Sequence, residues 1–331
     1  MSPSPLPPYS PFYPNSGQTR CYDTAGRPQT CAGSGQDAEF RPGLPWPTPR
    51  LVPRDGLVED RLTGLLWSGD ANPGGFPLAW AEAGELTAAW NQDRHLGRGD
   101  WRLPNRREML SLFSFQHAQP ALPPDHPFVN LTPGWRWTAT PAAKVPGYYW
   151  YVHTDGGRMF YGHQDQYNLV WPVAGPARPV LPAPAPGPPG PGGLAWPVPR
   201  FAAAGPVVRD RLTGLYWSRG ADLGPGEVSW AAALEAAAAL GATAPGGIHR
   251  WRLPTIWELE SLVDASRHSP ALPADHPFLD LGEAYWSATS SAYDPSWAMA
   301  LYLWKGAVGV GQKPGRHYRA WAVAAHRLNF D

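Results

Sequence analysis

The only residues with obvious redox or nucleophilic chemistry lie near the start of this chain of 331 residues. Its two cysteines, Cys21 and Cys31, flank a segment that contains Gly26 and Pro28 and so suits a turn. In an oxidising compartment, a disulfide closing this loop would stabilise the fold by about 2.5 to 3 kcal/mol. We therefore predict a disulfide and a location outside the cytoplasm. Half of a metal site and two free thiols are alternatives that the spacing leaves open.

Metal and serine chemistry have little support. Asp125-His126 and Asp275-His276 are the candidate ligand pairs, but adjacent side chains in a proline-bounded loop rarely converge on one ion. We favour a turn-capping aspartate beside a packed or exposed histidine. No Gly-x-Ser-x-Gly nucleophile motif is present. The sequence therefore predicts a protein that is not an enzyme, with no catalytic or metal-ligating residues and no cofactor, although calcium remains compatible with it.

Two glutamates and two arginines have structural explanations. Glu108 follows Asn105, and Glu258 follows Thr255, at the spacing of a helix capping box. Arg102 and Arg252 each stand between a tryptophan and a leucine, where a buried, charge-assisted hydrogen bond to a carbonyl or carboxylate is the expected role. These structural roles account for all four residues without a role in ligand binding.

An internal repeat positions these residues, apart from the two cysteines. The segment Asp60–Ser68, DRLTGLLWS, returns 150 residues later as Asp210–Ser218, DRLTGLYWS. The same offset relates Trp80 to Trp230, and relates the Trp-Arg-Leu-Pro motif that begins at Trp101 to the one at Trp251. We predict a Pro-rich extension (1–51), a first domain (52–174), a linker (175–201) and a second domain (202–331). The proline and glycine of the linker indicate a semi-rigid spacer that holds the two copies apart.

Each copy reads as α+β. A short strand pair surrounds a turn that ends at Gly64 or Gly214. Apolar residues at helical spacing then begin at Trp80 in the first copy and at Trp230 in the second. A second helix begins after each capping box. Strand-like segments come last, in the first copy at 135–140, 148–154, 158–161 and 167–173. Two helices and a small antiparallel sheet are therefore expected in each copy.

Charge and hydropathy exclude two classes of partner. The chain has 27 basic and 27 acidic residues, so no net charge drives it to nucleic acid. No apolar run is long enough for membrane insertion. The first 14 residues lack the charged and apolar regions of a secretory signal. Export would therefore use a signal outside this sequence or another route.

The order of motifs resembles the Lcl C-terminal domain family. The resemblance is carried by Asp-x-x-Thr-Gly-Leu-x-Trp-Ser, the helical tryptophan, Trp-Arg-Leu-Pro with a later glutamate, Tyr-Trp-Ser-Ala-Thr at 285–289 and Arg-Ala-Trp-Ala-Val at 319–323. It covers both copies and implies two tandem C-type-lectin-like domains, distantly related to formylglycine-generating enzymes and retroelement variable proteins. For the adhesin after which the family is named, it implies binding of sulfated polysaccharides. The first copy departs from this pattern, because Leu169 stands where the second copy has Arg319.

Aromatic and polar residues crowd the late part of each copy. In the first copy, these residues occupy both faces of the predicted strands from Tyr148 to Tyr167, whereas a sheet that buries one face would alternate apolar and polar residues. Aromatic rings interleaved with hydrogen-bonding groups are typical of a recognition surface. Trp150 and Trp304 have no tryptophan at the equivalent position of the other copy. Such unpaired tryptophans are therefore the foremost candidates for a functional role. A second small core, or a contact between the copies, is the alternative. The candidate ligand-binding residues are Tyr149, Trp150, Tyr151, His153, Arg158 and Tyr161 in the first copy, and Tyr302, Trp304, Lys305, Lys313, Arg316 and His317 in the second.

These observations predict an adhesin-like binding protein, either extracellular, at the cell surface or in the periplasm. Its expected partner is a glycan or surface polysaccharide, because sugar rings stack on aromatic side chains while polar groups bind hydroxyls. The basic residues of the second copy would suit sulfated or acidic glycans. The alternative is a structural subunit of a surface appendage or filament that self-associates, or a protein-binding module.

Overall fold

A computed structural model describes residues 13–177, 180–186 and 193–325. Its helices and strands form an N-terminal extension and two similar α+β halves, as the sequence predicted. The extension contains β1 (Cys21–Tyr22), β2 (Pro28–Gln29) and α1 (Asp37–Phe40). The first repeat contains β3 (Leu51–Arg54), β4 (Leu57–Asp60), β5 (Leu66–Ser68), α2 (Trp80–Gln92), α3 (Arg106–Leu112), β6 (Trp135–Pro141), β7 (Tyr148–His153), β8 (Met159–His163) and β9 (Val173–Ala174). The second contains β10 (Phe201–Ala204), β11 (Val207–Asp210), β12 (Leu215–Ser218), α4 (Trp230–Thr243), α5 (Ile256–Leu262), β13 (Ala284–Ser290), β14 (Trp297–Tyr302), β15 (Ala307–Gln312) and β16 (Val323–Ala325).

The repeated Asp-Arg-Leu-Thr-Gly motif is a turn closed by a buried ion pair. The carboxylate of Asp60 accepts hydrogen bonds from the Leu62 N–H (3.0 Å) and the Thr63 hydroxyl (2.9 Å), and Arg50 donates to both of its oxygens. Gly64 takes φ 75°, a left-handed conformation that favours glycine. The second repeat repeats this set with Arg200 and Asp210. The motif therefore fixes the hairpin that begins each repeat.

The capping boxes and the arginine–glutamate pairs form as the sequence predicted, although Arg252 is buried and Arg102 is only half-buried. Asn105 and Thr255 cap α3 and α5, and a glutamate completes each box. Arg252 pairs with Glu258 at 2.6 Å and both side chains are buried; the equivalent pair in the first repeat is 2.7 Å apart. The strand predicted at 167–173 is not continuous in the structure. This segment makes isolated bridges at residues 168, 169 and 173, and only β9 at its end is a strand.

Strands β3, β4, β5 and β9 form a four-stranded sheet in the first repeat, and β10, β11, β12 and β16 form its counterpart in the second. The later strands of the two repeats join into one sheet. A six-stranded antiparallel sheet has the order β13-β14-β15-β8-β7-β6, and its central pairing joins Met159 of β8 to Val308 of β15. These two residues hold equivalent positions, because Met159 pairs with Val152 and Val308 with Leu301 in matching hairpins. An approximate two-fold axis therefore passes through the central pair, as in the isologous interface of a dimer.

One hydrophobic core serves both repeats. It contains Met109 and Leu112 from α3, Leu259 from α5, and Met159 and Val308 from the joined strands. Separate cores lie on the opposite face of the sheet, one beneath α2 and one beneath α4. The six-stranded sheet is thus covered on both faces over much of its area.

The linker does not hold the copies apart, contrary to the sequence-based expectation. Val180 and Leu181 are buried in the shared core, and the carbonyl of Ala183 accepts a hydrogen bond from Arg107 of the first repeat. The neighbouring Pro184 carbonyl accepts from Ala265 of the second repeat at 2.8 Å. Because the described linker residues contact both repeats, they fill the junction between them.

The extension also bridges the repeats. Cys21 and Cys31 form the predicted disulfide, with Cα atoms 5.2 Å apart. The Tyr13 hydroxyl donates to Glu258 of the second repeat at 2.8 Å, while the Phe115 N–H of the first repeat donates to Ser16 at 2.9 Å. Gln18 contacts both repeats, donating to the carbonyls of Phe115 and Ser290. The extension therefore crosses the junction, and Tyr13 is itself buried in the shared core.

Buried charges lie at the centre of the junction. Arg107 donates to Glu260 across the two repeats at 2.6 Å, and Arg106 pairs with the same carboxylate at 3.2 Å. The Arg106 guanidinium also lies 3.9 Å from the centroid of Trp150 and donates to the Gly306 carbonyl. Burial lowers the pKa of Arg106 to about 10. The junction thus depends on one carboxylate that compensates two buried arginines.

Candidate functional site

Strand β7 carries the densest run of predicted site residues, and its two faces meet different surroundings. Trp150 is 2% exposed and lies in the shared core below Arg106, so it is not available to a ligand. Tyr161 packs edge-on against Trp150 at 5.0 Å. On the opposite face, Tyr149 stacks on Trp80 of α2 at 3.7 Å. The mixed aromatic pattern of β7 therefore arises in large part because both faces of the sheet are covered, which was the alternative to a recognition surface.

A row of half-buried rings follows the outer face of the sheet across the two-fold axis. Tyr151 and His153 pack against Trp135 at 4.8 and 4.7 Å, and Phe160 lies between Trp135 (6.1 Å) and Tyr302 (6.3 Å). Of these five residues, Tyr151, His153 and Tyr302 are among the predicted site residues. The row continues the aromatic surface from one repeat into the other.

The basic residues of the second repeat do not converge. Trp304 and Lys305 lie in the turn before β15, whereas Lys313 and Arg316 follow its other end, about 20 Å away for a six-residue strand. Arg316 and His317 are exposed. Lys313 is fully buried, so its place in the predicted ligand surface is corrected to the interior. The structure therefore does not assemble a basic patch from these side chains.

A cavity of about 270 Å³ lies where the repeats meet. The turn between β7 and β8 of the first repeat forms one wall, and the loop between β13 and β14, with the start of β14, forms the other. Only Arg158 among the twelve predicted residues lines it. The lining residues are Asp155, Gly156 and Arg158 from the first repeat, and Ser291, Tyr293, Asp294, Trp297 and Val310 from the second. We call this space the junction cavity.

The charged groups of the junction cavity are two carboxylates and one guanidinium. Asp155 Oδ1 is buried and accepts no hydrogen bond from the described residues. Hydrogen bonds from the Ser296 hydroxyl (2.7 Å) and N–H (3.0 Å) lower the pKa of Asp294, so this carboxyl is ionised. No ion pair among the described residues involves Arg158, whose guanidinium lies 5.8 Å from the centroid of Trp135. The cavity thus offers acceptors and a cation beside the rings of Tyr293 and Trp297.

His153 lies directly behind this wall. Its Nδ1 accepts a hydrogen bond from the Asp155 N–H at 3.2 Å, which places any proton of the neutral ring on Nε2. Burial lowers the pKa of His153, so its neutral form is favoured near neutral pH. The side chain therefore orients the turn that carries Asp155 without adding charge to it.

Seven of the eight lining residues were not among the sequence-predicted site residues. Four of these seven carry a carboxylate or an aromatic ring: Asp155, Tyr293, Asp294 and Trp297. A usable signal existed for Trp297, because it has no tryptophan partner in the first repeat, which is the criterion that selected Trp150 and Trp304. Tyr293 is 58% exposed, as expected for a residue in a loop beside Asp294 and Pro295. Nothing local indicates that this loop faces the turn of another repeat.

Other candidate sites are weaker. A shallower groove of about 620 Å³ on the first repeat is lined mainly by apolar residues such as Leu96 and Val129. Its one carboxylate, Asp70, already accepts hydrogen bonds from Asn72 and Asn130. Within the described ranges, no three His, Cys, Asp or Glu side chains are grouped so that they could hold a metal ion. In the same ranges, no helix has the length and apolar character needed to cross a membrane.

Comparison with known proteins gives one family. The model of the Lcl C-terminal domain matches residues 56–174 and again residues 206–324. The two matches together cover more than two thirds of the chain and coincide with the two structural repeats. No curated protein and no solved structure matched the chain.

Proposed function

Since the chain belongs to the Lcl C-terminal domain family over both of its repeats, we propose that it is a non-catalytic binding protein that recognises a polysaccharide. The observation that carries this proposal is the junction cavity, in which two aromatic rings stand beside two carboxylates and one guanidinium. Flat rings stack on the apolar faces of sugars, and carboxylates accept hydrogen bonds from hydroxyls. Because each repeat supplies one wall, the site requires the tandem arrangement.

The size and charge of the cavity indicate its ligand class. About 270 Å³ is slightly below the range of about 300 to 1,000 Å³ for pockets that hold drug-sized ligands, so one or two sugar residues fit. Asp155 and Asp294 outnumber Arg158 in the lining. A sulfate beside two carboxylates would be repelled, so we propose neutral or amino sugars as the residues bound here. The half-buried aromatic row on the outer face supplies a surface for adjoining parts of the polymer.

The proposed location is outside the cytoplasm, whether secreted, at the cell surface or in the periplasm. The Cys21–Cys31 disulfide supports it, because such bonds persist in oxidising compartments and are rare in the cytosol. A lectin-like role at a surface is consistent with this location.

The test is a glycan array with the full chain, followed by calorimetric titration of any ligand found. Trp297→Ala and Asp155→Asn should each weaken binding at least tenfold, which corresponds to about 1.4 kcal/mol. Trp304→Ala is the matched control, because Trp304 is half-buried in a turn outside the cavity. The bound glycan should be recovered intact, as mass spectrometry would show. Absence of any glycan ligand, or equal losses for Trp297→Ala and Trp304→Ala, would overturn the proposal.

A further inference from the structure

The loop of residues 291–296 joins β13 to β14 and brings Ser291, Tyr293 and Asp294 into the junction cavity. Such a connection would be expected to move more than the strands that it joins. Its shape therefore decides whether Asp294 and the Tyr293 ring face the turn at Asp155. What holds the loop is a segment more than 250 residues away in sequence.

The extension fixes Ser290, the last residue of β13, from which this loop starts. The Ser290 N–H donates to Gln18 Oε1 at 3.1 Å, and Gln18 Nε2 donates to the Ser290 carbonyl at 2.6 Å. The Ser290 hydroxyl accepts from the Lys313 ammonium at 2.8 Å. Gln18 and Ser290 are both buried, so these bonds are shielded from competing water.

The disulfide hairpin contacts the end of the loop at Ser296. Gly26 lies at the tip of the hairpin with φ 80°, and a Cβ atom there would stand 2.7 Å from the Ser296 backbone nitrogen. The Ser296 carbonyl accepts from the Lys313 N–H at 3.0 Å. The loop is therefore held at one end by side chains and at the other by a close backbone contact.

Lys313 connects the hairpin to the second repeat. Its ammonium donates to the carbonyls of Tyr22 (3.3 Å) and Asp23 (3.2 Å) and lies 4.0 Å from the centroid of Trp230. The side chain is fully buried under the hairpin. Two hairpin carbonyls and the hydroxyl of Ser290, the residue just before the loop, thus share one cation.

The first repeat cannot accept the hairpin in the same way. Gln164 holds the position of Lys313, as the matching hydrogen bonds from Trp80 and Trp230 show. Pro141 holds the position of Ser290 and has no N–H for Gln18. Gly84 stands at the position of Leu234, whose side chain lies 3.5 Å from where a Cβ of Gly35 would stand. The extension therefore selects the second repeat, whose loop lines the cavity.

We infer that the Cys21–Cys31 hairpin, through Gly26 and Lys313, positions the loop of residues 291–296 for ligand binding. This inference rests on the proposed function, since it assigns the hairpin to the regulation of the same cavity. Lys313 is a positioning residue, because it contacts the loop and the hairpin but does not line the cavity. Displacing the hairpin should loosen the loop and weaken glycan binding while both repeats stay folded.

The experiment compares Gly26→Ala with Gly33→Ala in the full chain. Both glycines have positive φ, 80° and 74°, so alanine is similarly strained at either position. Only Gly26→Ala meets another atom, since nothing lies within 4 Å of a Cβ at Gly33. Hydrogen exchange of residues 290–297 followed by mass spectrometry reports on the loop without any ligand, and calorimetry with the glycan found on the array reports on binding.

Gly26→Ala should increase exchange in residues 290–297 and weaken glycan binding at least fivefold, and Gly33→Ala should change neither. Lys313→Met is the second variant and should reproduce the first, with exchange in α3 and α5 unchanged. Unaltered loop exchange in both variants would overturn the inference. If no glycan binds the intact protein, the exchange data still test whether the hairpin positions the loop. Failure of this inference is therefore distinguishable from failure of the proposed function. Faster loop exchange without weaker glycan binding would also overturn it.

Discussion

Glu260 is the residue on which the junction between the repeats depends most directly. Its carboxylate is fully buried and pairs with Arg107 at 2.6 Å and Arg106 at 3.2 Å, both from the other repeat. Glu260→Gln keeps the size of the side chain and removes its charge. Two buried guanidinium groups would then lack their counter-ion, while Arg107 keeps its bonds to backbone carbonyls.

The expected cost follows from the burial of the pair. Removing one partner of a buried ion pair destabilises a protein by about 3 to 5 kcal/mol, because the remaining charge stays desolvated. At about 2 °C for each kcal/mol in a larger protein, the melting temperature should fall by about 6 to 10 °C. Burial already lowers the pKa of Arg106 to about 10, and loss of Glu260 removes the charge that opposes this shift.

Differential scanning calorimetry of the full chain measures the effect. Glu59→Gln is the control, because its pair with Arg54 is exposed and should contribute less than about 1 kcal/mol. A decrease for Glu260→Gln no larger than that of the control would refute the reasoning, since the two arginines would then be compensated without this carboxylate. Separate unfolding transitions in the variant would instead show that the two repeats had lost their coupling.

Three further predictions concern buried residues. The free energy of unfolding should rise with pH between about 7 and 10.5, by at most about 1.4 kcal/mol per pH unit. Burial lowers the pKa of Lys313 to about 7, so in this range the unfolded chain binds a proton that the folded chain does not. Urea unfolding at several pH values should show that Lys313→Met loses the rise. Burial raises the pKa of Asp37 to about 6, so between pH 3.8 and 6 the folded chain binds a proton that the unfolded chain does not. The stabilising contribution of this protonation should be complete at pH 3.8 and lost by pH 6. Thermal unfolding of Asp37→Asn should lack that dependence. Trp150→Ala should cost about 3 to 5 kcal/mol in chemical denaturation, and Trp304→Ala only a small part of that, since Trp150 is in the core; equal losses would contradict this placement.

The charges at the junction also specify which repeats pair. Ile256 and Trp257 of the second repeat stand where the first has Arg106 and Arg107, and Leu110 stands where the second has Glu260. Two first repeats joined in the same way would bury four arginines without a carboxylate. Such an arrangement would be strongly disfavoured, so the divergence of the two copies directs the first repeat to the second.

Much of the candidate site could not be predicted from local sequence. Tyr293 and Asp294 lie in an ordinary turn-like segment, and Asp155 lies in another, more than 130 residues earlier. Their approach depends on the single pairing of Met159 with Val308. An edge strand pairs through its backbone, so its side chains do not reveal its partner. Arg158 was identified because it belongs to an unusual aromatic segment, although most of that segment packs against other rings.

The sequence by itself determined the repeat, the family, the α+β class and the capping boxes, and it predicted the disulfide. Each of these depends on residues close together in the chain or on direct comparison of the two copies. Tertiary structure alone decided that the sheets join, that Trp150 and Lys313 are buried, and that the extension crosses to the second repeat. These features depend on contacts between distant segments, such as Gln18 with Ser290, whose stability comes from mutual burial. Periodicity records which face of a strand is apolar, but it does not record which surface covers that face.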